Sequence, residues 1–318
     1  MSFALGRRAT MAEQPLTTRL VHVALYGRPN VGKSTLMNAL VGEHVAITSH
    51  HPGTTRDAIR GVAVRAGDQF VFVDTPGVHT SKTPLGDRMN AYAQGAAEDA
   101  DVVLLLVDAS RARPQLEEGE KQLLAQLPEG KPVVLALTKI DKLQKKDLLF
   151  PLLQGMSEGH DFAAMVPLSS VKRDGTLVLL DALTPFLKEA DWQFEADEIT
   201  DRPMRFFVAE YVREQLLHKT RGEIPHGVAV TVERFDESTK TPRVHVTVHV
   251  DKNSHKPIVL GAGGLLLKSV GTDARARVEA LYGRQINLQI HVRVSPGWYM
   301  APKSLDEFGY VAGLGDKT

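Results

Sequence analysis

Short, unbroken apolar runs recur along the first 190 residues: "VHVALYG", "FVFVDTPG", "DVVLLLVDAS", "PVVLALTKID" and "AMVPLSS". A strand covered by helices on both faces has no polar side, so it reads as a run rather than an alternation. Stretches of helical spacing separate the runs. "IRGVAVRAG" alternates instead and meets the next run through Gly-Asp, which predicts an antiparallel edge strand. The pattern predicts one doubly wound, mostly parallel α/β domain over residues 17–190. Residues 1–16 read as a disordered tail.

Residues 188–203, "KEADWQFEADEITDRP", are acidic and end in proline, so 191–202 are expected to form a linker. Beyond it the period changes. "MRFFVAEYVREQLLHKT" has helical spacing, with Phe206, Phe207 and Tyr211 on its apolar side. "VHVTVHV" and "INLQIHVRV" alternate strictly, so one strand face packs on helices and the other is wet or bound. Across residues 203–300 the predicted order is helix, strand, strand, helix, glycine loop, helix, strand. Residues 301–318 read as a tail.

The chain has 318 residues and no cysteine, which excludes disulfides, thiolate-held zinc and a thiol nucleophile. No apolar run is long enough to span a bilayer. The net charge is zero, but the halves differ. Residues 1–201 carry 21 Lys and Arg against 26 Asp and Glu, whereas residues 202–318 carry 17 against 12. The second part is the one suited to an anionic partner.

"GRPNVGKS" fits the phosphate-loop pattern, with Gly27, Gly32, Lys33 and Ser34 at the defining positions. It follows a strand and opens a helix, so its backbone N–H groups converge on phosphate oxygens. Arg28, Pro29, Asn30, Val31 and Thr35 complete the loop. Lys33 is expected to reach the β- and γ-phosphates, and Ser34 to ligate Mg²⁺. "DTPG" supplies Asp74, Thr75, Pro76 and Gly77. Asp74 suits an outer-shell or direct magnesium role, and the Gly77 N–H suits the γ-phosphate. In "HPGTTRD", Thr55 rather than Thr54 is expected to close on the metal.

"TKID", Thr138, Lys139, Ile140 and Asp141, ends a strand. A carboxylate there accepts from N1–H and the 2-amino group of guanine; adenine offers neither donor, so a buried Asp141 selects GTP or GDP. In "PLSSVK", Ser169 and the Ser170 N–H stand ready for the base.

"GRPNVGKST", "PGTTRD", "DTPG" and "TKID" together resemble the family of GTPases that includes Era, Der and MnmE. Thr138 departs from the asparagine usual there, but its hydroxyl can still bond back to the phosphate loop. Val78 follows Gly77 where Ras-type proteins carry a water-orienting glutamine. The resemblance implies a substitute: Asn30 helps hold K⁺, which supplies positive charge. Catalysis is then expected from Lys33, Asn30, Thr55 and Gly77, at a slow intrinsic rate.

A second glycine loop, "GAGGLLLKSVG", fits neither dinucleotide nor phosphate-loop spacing. What remains is Gly261, Ala262, Gly263 and Gly264 between two helices beside a three-stranded sheet. That order is the α+β KH fold of the prokaryotic type, whose GXXG loop clamps single-stranded RNA. Lys268, Arg275 and Arg277 are candidate helpers, the more so because Ala262 stands where the family this segment resembles usually carries lysine. "GEIPHGVAVTVERF", "PIVLGAGG" and "HVRVSPGW" resemble the KH domain of the Era branch, and the likeness covers roughly residues 18–311.

The resemblance implies a cytoplasmic GTPase that binds small-subunit (16S) ribosomal RNA near its 3′ end and assists 30S subunit assembly. It also implies partial association with the inner face of the cell membrane, and the chain is expected to be a monomer. The rivals are a constitutive RNA-binding module and a membrane-surface signalling GTPase. The histidines show no metal-ligand spacing; His245 and His249 are expected to face water, and Trp298 and Tyr299 to pack.

Overall fold

The computed structural model describes residues 18–222, 224 and 227–310. The expected N-terminal tail and residues 311–318 lie outside the described residues. The chain runs β1 (Arg19–Tyr26), α1 (Lys33–Val41), β2 (Ile59–Arg65), β3 (Asp68–Asp74), α2 (Pro84–Asp99) and β4 (Val102–Asp108). Then come α3 (Glu118–Ala125), β5 (Val133–Thr138), α4 (Leu149–Ser157), β6 (Ala164–Pro167), α5 (Thr176–Leu183) and the short β7 (Lys188–Glu189).

These strands make one seven-stranded sheet in the order β2-β3-β1-β4-β5-β6, with β7 paired to β1. Five strands are parallel; β2 lies antiparallel at one edge, as its alternation predicted. The apolar runs feed two cores at once. Val21, Val23 and Leu25 of β1 point to the layer of α1 and α5. Ala24 and Tyr26 point to the layer of α2, α3 and α4. A period of two in a strand buried on both sides sends successive residues to opposite layers.

The segment after β7 is held rather than loose. Buried Gln69 accepts from the backbone N–H groups of Gln193 and Phe194 and donates to the Phe194 carbonyl. The Trp192 indole donates to the Gly67 carbonyl. Val62 N–H donates to the Ile199 carbonyl at 2.9 Å.

The second part begins with α6 (Met204–Lys219), β8 (Val228–Asp236) and β9 (Arg243–Val250). It continues with α7 (His255–Leu260), α8 (Leu265–Tyr282), β10 (Asn287–Val294) and α9 (Pro302–Glu307). The sheet order is β10-β9-β8, with β10 parallel to β9 and β8 antiparallel to it. A parallel neighbour needs a crossover, and α7 with α8 provides it. Val244, Val246, Val248 and Val250 pack with Val270, Ala274 and Val278 of α8. Phe207 and Tyr211 of α6 are buried in that core, which is continuous with the α1–α5 layer.

Two expectations need correction. The segment expected as a tail from residue 301 forms α9, and its neighbour Tyr310 packs with Trp298, Leu305, Leu85 and Met89. That cluster covers one end of the β9 outer face, so His249 is buried there rather than wet. Its Nε2 lies 2.9 Å from Thr231 Oγ1 and its Nδ1 3.0 Å from Ser295 Oγ, with Phe308 against the ring.

Burial pushes the His249 imidazole down to about 4; Glu233 opposes this and Arg293 adds to it. The unfolded chain binds this proton near pH 6.5 and the folded chain only near 4, so stability is lost as pH falls through that window. Urea unfolding at pH 7 and pH 5 should show a drop from this residue on the order of 1 kcal/mol once solvent screening is allowed for. H249Q should lack that part of the drop; an equal drop in wild type and variant removes the assignment.

Candidate functional site

The phosphate loop is the turn between β1 and α1. Gly27 has φ 147°, and a Cβ there would stand 2.8 Å from the Leu106 carbonyl oxygen of β4. Gly32 has φ 109° and begins α1 in the left-handed region that glycine tolerates. Lys33 Nζ donates to the Gly27 and Arg28 carbonyls at 3.0 Å each. Burial pushes the ammonium down to about 8, against the opposing charge of Asp74. A negatively charged ligand oxygen beside Nζ would offset that lost hydration.

Around the start of α1 three oxygens converge. Ser34 Oγ lies 2.6 Å from Asp74 Oδ2 and 2.9 Å from Thr55 Oγ1, and Thr55 Oγ1 lies 3.3 Å from Asp74 Oδ2. Thr54 is committed elsewhere, to the His51 carbonyl and Ser49 Oγ at 2.6 Å each. Asp74 Oδ1 is buried with no hydrogen-bond partner among the described residues. Burial raises this carboxyl to about 6, although Ser34, Lys33 and Thr55 pull it down. A buried carboxylate oxygen without a donor, beside two hydroxyls, is a hard-oxygen set that fits Mg²⁺. Thr75 Oγ1 donates to the Leu25 carbonyl, which fixes the turn after β3. A Cβ on Gly77 would stand 2.7 Å from Pro29 N and Cα, so only glycine lets this turn close on the phosphate loop.

The other end of the cleft is built by β5 and the loop after β6. Thr138 Oγ1 donates to the Val31 carbonyl at 2.6 Å and approaches the Val107 carbonyl at 3.2 Å. Lys139, at φ 59°, sends Nζ to the Asn30 carbonyl and to Asp108 Oδ2 at 2.6 and 2.7 Å. Asp108 holds that lysine yet escaped the sequence reading, although a carboxylate ending β4 was its signal. Asp141 is exposed, not buried as expected; it is the base itself that would cover it. Ser169 Oγ donates to Asp141 Oδ1 at 2.6 Å and so sets its direction.

A cavity of about 500 Å³ joins the two ends, lined by Gly32, Lys33, Ser34, Thr35, Thr55, Gly77, Thr138, Lys139, Asp141 and Ser170. Thr48 and His218 also line it, and sequence reasoning missed both. His218 comes from α6, some 170 residues from its partner Thr48, so no local signal could place it. Arg28, Val31 and Val78 line a neighbouring cavity of about 940 Å³ instead. The Arg28 guanidinium turns away to Glu117 and Glu120, at 3.8 and 3.6 Å. Asn30 Nδ2 donates to the His50 carbonyl at 2.9 Å.

The second glycine loop joins α7 to α8. Gly261, Gly263 and Gly264 all have positive φ, and Gly263 and Gly264 have open space where a Cβ would stand. Ala262 is exposed, so a backbone can approach the loop closely. Lys268 is exposed one turn into α8. Arg275 and Arg277 are not brought to the loop: they lie roughly 15 and 18 Å along the helix from its start. Arg275 approaches Glu279 at 3.9 Å, and Arg277 points across to Glu214 of α6 at 3.4 Å.

Two family profiles match: "50S ribosome-binding GTPase" over residues 22–139 and "KH domain" over residues 223–299. GTPase Era of Stenotrophomonas maltophilia is 43% identical over 289 residues, covering 91% of this chain and 96% of that protein. GTPase Era of Bordetella petrii is 39% identical over 301 residues, covering 94% and 100%. A solved structure of Era with MgGDPNP and nucleotides 1506–1542 of 16S ribosomal RNA superposes with a TM-score of 0.88. Its sequence is 33% identical, and the match covers 92% of this chain and 99% of that one. An Aquifex aeolicus Era variant bound to GDP and AlF4⁻ also gives 0.88, at 34% identity, covering 92% and 100%. Relatives that match this chain nearly end to end, in sequence and in fold, are GTPase Era proteins: the chain belongs to the GTPase Era family.

Proposed function

We propose that the chain is a GTP-driven switch that clamps 16S ribosomal RNA near its 3′ end and assists assembly of the 30S subunit. One observation carries the switch: Thr55, from the loop between α1 and β2, lies against Ser34 and Asp74. A γ-phosphate with its metal would hold that loop, and hydrolysis would release it. We place the GTPase domain at 17–190, the linker at 191–202 and the KH domain at 203–300.

Hydrolysis needs positioning and charge, not a covalent intermediate. Magnesium, when bound by Ser34, Thr55 and Asp74, neutralises charge on the phosphate oxygens. Lys33 does the same from the loop, and the backbone N–H groups of 30–35 and of Gly77 orient the transferring group. Val78 cannot polarise water. The Asn30 amide nitrogen is engaged by His50, so its oxygen is the atom left for K⁺, which would supply the missing positive charge. The RNA backbone enters over Gly261, Ala262, Gly263 and Gly264, with Lys268 the nearest cation. The matching protein solved with nucleotides 1506–1542 supports this target.

The chain acts in the cytoplasm as a monomer. No helix among the described residues is long and apolar enough to cross a membrane. Association with the inner face of the cell membrane, which the family likeness implies, is read as peripheral.

The test combines two readouts on the full chain. Filter binding of a transcript of 16S nucleotides 1506–1542 should be tighter with MgGDPNP than with MgGDP, by on the order of tenfold. Phosphate release from MgGTP should be faster in K⁺ than in Na⁺. Equal RNA affinities leave only a constitutive RNA clamp, and equal rates remove the ion. Liposomes that outcompete the transcript would favour a membrane-surface role instead.

A further inference from the structure

The 44–56 loop, which carries Thr55, is gripped by a helix of the other domain. The Glu214 carboxylate of α6 is fully buried. Its Oε1 accepts from Thr48 N–H at 2.9 Å and from His44 Nε2 at 3.0 Å, and the Thr48 hydroxyl lies at 3.4 Å. Next to it, buried Arg213 donates from Nη2 to the Thr54 carbonyl at 2.6 Å, one residue before Thr55. Glu210 aims that guanidinium with two hydrogen bonds, at 2.8 and 2.5 Å. The Tyr211 hydroxyl donates to the His44 carbonyl, and His218 Nε2 meets the Thr48 carbonyl at 2.8 Å. Four positions of α6 bond one loop, and a fifth, Glu210, holds one of the four in place.

The same helix is fastened to α8. Glu214 Oε2 faces Arg277 Nε at 3.4 Å. Lys219 Nζ reaches Ser269 Oγ at 2.7 Å and Asp273 Oδ2 at 2.5 Å. The RNA loop ends where α8 begins. The loop that senses the γ-phosphate and the loop that meets RNA are thus attached to one pair of helices. Burial pushes the Glu214 carboxyl up, but hydrogen bonds from His44 and Thr48 and the Arg277 charge hold it below its usual range. It is therefore an anion at neutral pH, bonded in a dry interface. Such bonds are costly to leave half-made, so loop and helix shift together rather than part.

We infer that Arg213 and Glu214 are positioning residues of the GTP site: they set the 44–56 loop so that Thr55 can close on Ser34 and Asp74, and they carry its release to the 261–264 loop. This rests on the switch reading above. A merely adhesive role would hold the domains together without making RNA affinity depend on the nucleotide. The coupling is reciprocal, so RNA must change GDPNP affinity by the same factor that GDPNP, relative to GDP, changes RNA affinity.

The experiment measures that factor by filter binding of the 1506–1542 transcript to the full chain in MgGDPNP and in MgGDP. In wild type it should be on the order of ten. In E214Q, which keeps the side-chain volume but removes the charge, it should fall to within about twofold of unity. R277Q changes a partly exposed side chain on the same path; its factor should fall by at least half, and it keeps the test alive if E214Q does not fold. A factor unchanged in a folded variant overturns the inference alone. A factor of one in wild type overturns the switch reading beneath it.

Discussion

Asp141→Asn is expected to weaken GDP binding by a hundredfold or more, and to make xanthosine diphosphate the better ligand. Guanine offers two donors, N1–H and the 2-amino group, to one carboxylate. An asparagine presents an NH₂ where one of those donors points, so one bond becomes a clash of donors. Sites built to hydrogen-bond a substrate discriminate by on the order of 10⁴ when the bond cannot form, because polar groups are left buried and unpaired. Here the starting geometry is favourable: Ser169 holds Asp141 Oδ1 at 2.6 Å before any base arrives. Xanthine has an acceptor at position 2, which the asparagine NH₂ can satisfy. Titration calorimetry of wild type and D141N with GDP, ADP and XDP reads all of this. If D141N binds GDP within about threefold of wild type, the carboxylate does not read the base.

Lys33→Met should reduce phosphate release from MgGTP by on the order of 10³. Its effect on the nucleotide-free fold should be nil or stabilising, and this separates a site residue from a structural one. The ammonium is buried and pushed down to about 8, with desolvation the larger cause and Asp74 opposing. Folding therefore disfavours its proton below that pH, and the penalty is relieved as pH rises towards the ordinary lysine value. Methionine removes the penalty while keeping a similar length, at the loss of two hydrogen bonds to the Gly27 and Arg28 carbonyls. Single-turnover hydrolysis and urea unfolding, run side by side, should show the first collapse and the second hold. A variant that unfolds several-fold more easily would show that Lys33 serves the fold instead.

Much of this was legible in the sequence because it is local. A glycine loop between a strand and a helix, a strand that ends in "TKID" and a strict alternation each speak within ten residues. The Thr138 hydroxyl bonds back to the phosphate loop, as its polarity allowed. What stayed hidden depends on distant packing. The period of two correctly sends His249 to the outer face of β9, but cannot say that Trp298, Phe308 and Tyr310 fold over that end. Helical spacing put Arg277 on α8 without saying that Glu214 waits opposite. Asp141 looked like a buried acceptor because its chemistry needs a dry pocket, yet the protein alone leaves it open. The grip of α6 on Thr48 and Thr54 joins residues about 160 to 170 positions apart, which no motif spans.

The segment between β7 and α6 does more than connect. β2 is the outermost strand of its sheet, and such a strand offers unpaired amides to any extended chain nearby. Val62 N–H is already taken by the Ile199 carbonyl, and Arg60 reaches Asp201 at 3.1 Å. A foreign strand would first have to peel this stretch away. The chain thereby guards its own flank against stacking with copies of itself, a protection that shortening residues 192–201 would remove.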